Sequence, residues 1–197
     1  MENKLKVSVI IPNYNYAKYL KKRVKVIEKQ TYPIYELIIL DDCSTDNSRE
    51  VIEKLAKKYD IKMIFNEENS GCVFKQWQKG IEAATGDLIW IAEADDQADK
   101  KFLEKMVPCF NDKDVILAFA DSKQINTRGR VIRKYGNKQA EVFYLIINNS
   151  VESKWFQNSH KTDRNFITID EKGLEQVLRG EQPDLFRPKI GEIMFRF

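Results

Sequence analysis

The chain has 197 residues, enough for one good core and too few for two full domains, so a single domain with an irregular tail is expected. Its 33 basic and 30 acidic residues leave a formal charge of +3 spread along the sequence, which excludes the concentrated basic field of a nucleic-acid-binding protein. Three cysteines without CxxC spacing and a single histidine, His160, exclude a disulfide framework, a zinc site and a histidine triad, and they point to a reducing compartment, the cytoplasm.

The amino terminus Met1-Glu2-Asn3-Lys4 opens onto no signal-peptide core, and the first apolar run, residues 7–11, is far shorter than a membrane span. No transmembrane segment is expected, although peripheral association with a membrane stays compatible. Residues 7–11 read as a strand, followed by the polar and aromatic loop Pro12-Asn13-Tyr14-Asn15-Tyr16. Leu20, Val24 and Ile27 then form a helical stripe, with the basic cluster at 18–23 as its solvated face. A second strand, 36–40, leads into Asp41-Asp42-Cys43-Ser44-Thr45-Asp46, and Asp46 or Asn47 with Glu50 starts a helix carrying Val51, Ile52, Leu55, Ala56 and Tyr59. After a strand at 61–65, Phe74, Trp77, Ile81 and Ala84 make a third stripe, with Gly86 as its stop. The run 88–92 is a strand that empties into Glu93-Ala94-Asp95-Asp96. Phe102, Leu103, Met106 and Phe110 form a fourth helix that Pro108 kinks or ends, before a strand at 115–120. Residues 121–133 resemble a hairpin around Asn126-Thr127-Arg128-Gly129-Arg130; beyond Lys134 the pattern weakens to one apolar run and a helix candidate at 171–179.

This alternation predicts an α/β fold, a mostly parallel twisted sheet with helices on both faces and right-handed crossovers. Ligands of such sheets bind beyond the carboxyl ends of the strands, which selects the loops after the first, second and fourth strands. Glu93, Asp95 and Asp96 would repel one another without a cation, and oxygen-only ligands suit Mg²⁺ or Mn²⁺ with part of the shell open to phosphate. The plainer alternative is an acidic loop whose carboxylates cap the next helix, near Lys100. Tyr14 offers a ring for a base, and Asp42 an acceptor for a base or ribose donor. With no glycine-rich phosphate loop in the chain, diphosphate charge falls to the metal and to Lys75. Structural alternatives stand beside these roles: Tyr14 packs on a helix, Asp41 turns its loop or caps the second helix, and Lys75 is solvated. Phe74 and Trp77 are read as core, and Cys43 and Cys72 as small loop fillers.

Residues 7–15, Gln30-Thr31-Tyr32, residues 36–46, Asn69-Ser70-Gly71, Gly86-Asp87 and Glu93-Ala94-Asp95-Asp96 resemble, in order and spacing, the family 2 inverting glycosyltransferases. The resemblance covers about residues 5 to 133. Residues 71–77 and 89–93 look like the bacterial branch found in cell-surface polysaccharide synthesis. It implies a Rossmann-like glycosyltransferase A fold, a nucleotide-diphosphate sugar as donor, expected to be a UDP-sugar, and Mg²⁺ or Mn²⁺. The acceptor implied is a cell-surface polysaccharide, another glycan or a lipid-linked sugar. Carried across, Pro12 and Tyr14 would line the nucleobase pocket and Asp42 would bond the base. Glu93 falls on the first acidic position of the family's Asp-x-Asp motif, near ribose or metal, in place of the commoner Asp. Asp95 and Asp96 would hold the metal against the diphosphate. Residues 1–133 would be the donor domain, and 134–197 a divergent or truncated acceptor-side tail. The resemblance places the catalytic base in the carboxyl-terminal half, where Asp163, Asp170, Glu171 and Asp184 are available without a matching context. The alternatives are a nucleotide-sugar-binding module without full transferase activity, and a nucleotidyltransferase.

Overall fold

Four short runs of Ile, Leu and Val form the strands β1 (Val7–Asn13), β2 (Glu36–Asp41), β3 (Ile61–Phe65) and β4 (Leu88–Ile91). They come from a computed structural model that describes residues 4–113, 115–121, 123–126, 130–134, 142–146, 154–157 and 190–196. The chain divides into two compact units, Met1–Val107 and Pro108–Arg196. In the first, all four strands are parallel in the order β3-β2-β1-β4, with β1 between β2 and β4 and buried throughout. Register pairs Val9 with Leu37 and with Trp90, and Asn13 with Asp41, so the carboxyl ends of β1 and β2 finish level. β3 departs from the expectation of strands covered on both faces. It stands at the end of the order, and its Lys62 and Met63 are exposed.

The crossovers are helices. α1 (Ala17–Ile27) buries Leu20, Val24 and Ile27, and α2 (Ser48–Ala56), packed beside it, buries Ile52 and Leu55. Arg23 is not part of the solvated face proposed for residues 18–23: it is 1% exposed, with its guanidinium carbon 5.2 Å from the Trp90 ring centroid. α3 (Val73–Ala83) lies against β1 and β2. Its route from β3 back across the sheet to β4 puts it, by the right-handed rule, on the face opposite α1 and α2. Phe74 and Trp77, expected as its core face, are half-buried, while Gln76 and Gly80 are buried, as is Ala84 of the expected stripe just past the helix end. A Cβ on Gly80 would come within 2.5 Å of Ile10 Cγ2 and 3.1 Å of Leu40 Cδ1. The helix approaches the sheet along a stripe of small and polar residues, and close approach sets its rotation.

Gly86 does not terminate α3. The helix ends at Ala83, and a Cβ at Gly86 would meet Ser8 Oγ at 2.6 Å and the Lys6 carbonyl at 2.8 Å, so the residue is small to let the chain pass β1. α4 (Phe102–Met106) buries Phe102, Leu103 and Met106 and passes into a 3-10 turn, Val107–Asn111, at Pro108.

In the second unit β5 (Val115–Asp121), β8 (Val142–Ile146), β9 (Lys154–Gln157) and β10 (Ile190–Arg196) run antiparallel in the order β10-β5-β8-β9. The parallel pairing predicted from the alternation is thus confined to the first unit. β6 (Lys123–Ile125) and β7 (Val131–Lys134) form the expected hairpin. The Arg130 N–H donates to Asn126 Oδ1 at 2.9 Å across its turn. Arg196 donates through its guanidinium to the carbonyls of Phe110 and of Asp112, the latter at 3.2 Å, and ties β10 to the 3-10 turn. The helix candidate at 171–179 and the acids Asp163, Asp170, Glu171 and Asp184 lie outside the described residues.

Candidate functional site

The carboxyl ends of β1, β2 and β4 carry three loops, and the first two are fastened together by side chains. Asn13 is 2% exposed and donates through Nδ2 to Asp41 Oδ1 at 2.8 Å and to Ser44 Oγ at 3.2 Å. Asp41, fully buried, also accepts from the Ser44 N–H at 3.1 Å, with Arg49 Nε at 3.5 Å. It therefore turns its loop, the structural role weighed for it from sequence. Asn15 sits at φ 59°, a left-handed conformation that Asn tolerates, and its Oδ1 accepts from the Thr45 N–H at 2.8 Å and the Asp46 N–H at 3.2 Å. Asp46, rather than Asn47, supplies the helix cap: its two oxygens accept from the Ala17 N–H at 3.1 Å and the Ser48 N–H at 2.9 Å, the first residues of α1 and α2. Burial alone would raise this carboxyl's pKa, yet the bonds from Ser48 and Ala17 outweigh it and hold the pKa below the ordinary Asp range.

Asp42 is the centre of the second loop. It is 5% exposed, and its Oδ1 accepts from Asn66 Nδ2 at 2.7 Å, the Ser70 N–H at 2.9 Å and Gln76 Nε2 at 2.9 Å. Its Oδ2 accepts from Ser70 Oγ at 2.7 Å. These four bonds bring the loop after β2, the segment after β3 and the start of α3 to one carboxylate. They leave Oδ2, which accepts one of the four, with a remaining acceptor site. Lys75 joins the same side, with Nζ 3.4 Å from the Ser70 carbonyl. Tyr14 is 45% exposed in the loop after β1, and Pro12 is buried within β1 opposite Leu40.

The acidic stretch after β4 is a tight turn in which the Asp96 N–H donates to the Glu93 carbonyl at 3.2 Å. Ala94, 1% exposed, anchors it, while Asp95 and Asp96 are exposed. Glu93 is half-buried, and its Oε1 accepts from the Trp77 indole N–H at 2.8 Å. The Asp95 charge, with burial and the Glu93 charge adding to it, pushes the phenol of Tyr16 above its ordinary pKa. Tyr16, 40% exposed, is thus the aromatic of the first loop that shares the field of the acidic turn. Among the described residues no group of three His, Cys, Asp or Glu side chains is gathered to hold a metal by itself. The donor set nonetheless fits Mg²⁺ or Mn²⁺, which commonly take one or two carboxylates and complete their shell with water and substrate phosphate. Asp95 and Asp96 would supply those carboxylates, and the ion would neutralise diphosphate charge.

The structure therefore places the predicted residues in two stations. Asp42 and Lys75 stand at the end of β2 with Ser70; Glu93, Asp95 and Asp96 stand at the end of β4. Asn66 and Gln76 carried no expectation, Ser70 and Tyr16 stood in quoted segments without a role, and Trp77, expected as core, instead bonds Glu93. No sequence signal marked Gln76, which lies off the apolar stripe of α3 and is buried only because Gly80 sets the rotation of the helix.

A profile of Glycosyl transferase family 2 matches residues 8–169. An uncharacterized glycosyltransferase of Nostoc is 40% identical over 115 residues, covering 57% of this chain and 35% of the relative. A putative teichuronic acid biosynthesis glycosyltransferase of Bacillus subtilis is 32% identical over 130 residues, covering 66% and 51%. Among solved structures, Staphylococcus aureus TarS 1–349 in complex with UDP-GlcNAc aligns with a TM-score of 0.58 at 27% identity, over 70% of this chain and 39% of that one. This chain spans a third to a half of the length of each. The Rossmann-like arrangement of the strands, the acids at their carboxyl ends and the profile match agree: the chain belongs to glycosyltransferase family 2.

Proposed function

We propose that the carboxyl edge of β1, β2 and β4 binds a nucleotide-diphosphate sugar, a UDP-sugar, together with Mg²⁺ or Mn²⁺, and that the protein transfers the sugar to a glycan acceptor. One observation carries the reading: two carboxylate stations, Asp42 and the Glu93–Asp96 turn, flank the end of β1 at the separation of two strand spacings, roughly 10 Å. That span suits a nucleoside at one end and a diphosphate at the other. Tyr14 offers its exposed ring to the base, Pro12 lines the same pocket, and the remaining acceptor site of Asp42 takes a base or ribose donor. Asp95 and Asp96 hold the metal and Glu93 stands beside them, while Lys75, expected from sequence to neutralise diphosphate, adds its charge on the Asp42 side. UDP as the nucleotide is supported by TarS, a family relative solved with UDP and with UDP-GlcNAc.

The acceptor reading rests on relatives named for teichuronic acid biosynthesis and for poly(ribitol-phosphate). It is a cell-surface polysaccharide or a lipid-linked precursor. Inverting transfer needs a base to take the acceptor's hydroxyl proton, and that group belongs to the carboxyl-terminal half with Asp163, Asp170, Glu171 and Asp184 as its candidates. No described helix is long and apolar enough to cross a membrane. Calorimetric titration with UDP tests the reading. Binding in Mn²⁺ that is lost in EDTA supports it, and equal affinity in both overturns the metal-bound diphosphate.

A further inference from the structure

Consecutive residues of α3 reach the two carboxylate stations. Gln76 Nε2 donates to Asp42 Oδ1 at 2.9 Å, and Trp77 Nε1 donates to Glu93 Oε1 at 2.8 Å. Neighbours on a helix point about 100° apart, so one helix lying across β1 and β2 can send one side chain to each flank. Both donors are neutral. A lysine or arginine in place of Trp77 would cancel negative charge where a cation and a diphosphate must meet; an indole N–H orients a carboxylate and leaves its charge intact. The indole is itself held, packed edge-on against Phe74 with ring centroids 5.0 Å apart, and it has only two side-chain torsions to fix. The bond also accounts for glutamate at position 93. From the same backbone an aspartate would fall about 1.5 Å short, one bond length, too far for a hydrogen bond to the indole.

We propose that Trp77 is a positioning residue: it sets the Glu93 carboxylate at the edge of the donor site and, with Gln76, makes α3 a brace that fixes the spacing between the Asp42 and Glu93 stations. This rests on the donor-site reading above. The brace requires Trp77 and Glu93 to act as a pair, and a double-mutant cycle shows whether they do. Trp77→Phe keeps the ring against Phe74 and removes the N–H; Glu93→Asp keeps the charge and shortens the arm. UDP affinity in Mn²⁺ should fall about tenfold in either single variant, and the double variant should bind no more weakly than the weaker single. Multiplied losses in the double variant, or undiminished UDP affinity in Trp77→Phe, overturn the brace. A second readout needs no nucleotide. In ¹⁵N-labelled protein the Trp77 indole resonance, identified by its disappearance in Trp77→Phe, should shift in Glu93→Asp while those of Trp90 and Trp155 stay. An unmoved resonance overturns the pairing. If the wild-type protein binds no UDP while this resonance does shift, the pairing stands and the donor reading falls.

Discussion

Asp42 accepts four hydrogen bonds within the protein, so its replacement has two consequences that separate experimentally. Asp42→Ala removes the acceptor of the buried Gln76 amide and of the half-buried Ser70, and loss of the buried partner alone costs roughly 1–3 kcal/mol. The urea midpoint should fall with the slope unchanged. UDP affinity should drop about tenfold or more, as for loss of one charged hydrogen bond. A variant as stable as the wild type would show that the carboxylate does not organise the loops. The position of this acid, like those of Glu93, Asp95 and Asp96, was legible in the sequence because short apolar runs mark where each strand stops. The partners were not. Asn66, Ser70 and Gln76 come from 24, 28 and 34 residues away, and no local periodicity encodes such pairings.

At the scale of elements, α3 shows why apolar periodicity misassigned a face. Phe74 and Trp77 follow the helical period, yet Gly80 allows an approach so close to Ile10 and Leu40 that Gln76 and Gly80 are buried instead. Packing decided what the apolar residues alone could not. Gly80→Ala should therefore destabilise by about 1–3 kcal/mol through overpacking, opposite in sign to the gain an exposed helical Gly→Ala change brings, as thermal or urea unfolding would show. Asp46 links α1 and α2 by capping both, so Asp46→Ala should cost about 1 kcal/mol per cap. Against the raising effect of burial, its carboxyl pKa is held below the ordinary Asp value in the folded protein by the Ser48 and Ala17 bonds, so the unfolded chain binds its proton first as pH falls. The stability it contributes is complete above that value and is lost as pH drops through the folded pKa. Unfolding measured between pH 5 and 2 should lose part of its acid sensitivity in Asp46→Asn; an identical pH profile would contradict the cap.

For the whole molecule, a ligand that binds only the folded state raises stability by mass action, about 2.7 kcal/mol at a hundredfold excess over Kd. UDP with Mn²⁺ should raise the unfolding temperature, and UDP with EDTA should not. The fold class was legible from strand-helix alternation, as were the three ligand-bearing loops. The antiparallel pairing of β5 with β10 and β8 was not, because strand direction depends on partners far away in the chain. The most direct test of the donor site uses the metal as a probe. Mn²⁺ titrated into the ¹⁵N-labelled protein with UDP broadens amides near the ion. Resonances of Asp95, Asp96 and Tyr16 should be lost early, with Lys62 and Met63 on β3 unaffected. Broadening led instead by surface acids such as Glu50 and Glu53 on α2, with the Glu93–Asp96 turn intact, would contradict the donor site.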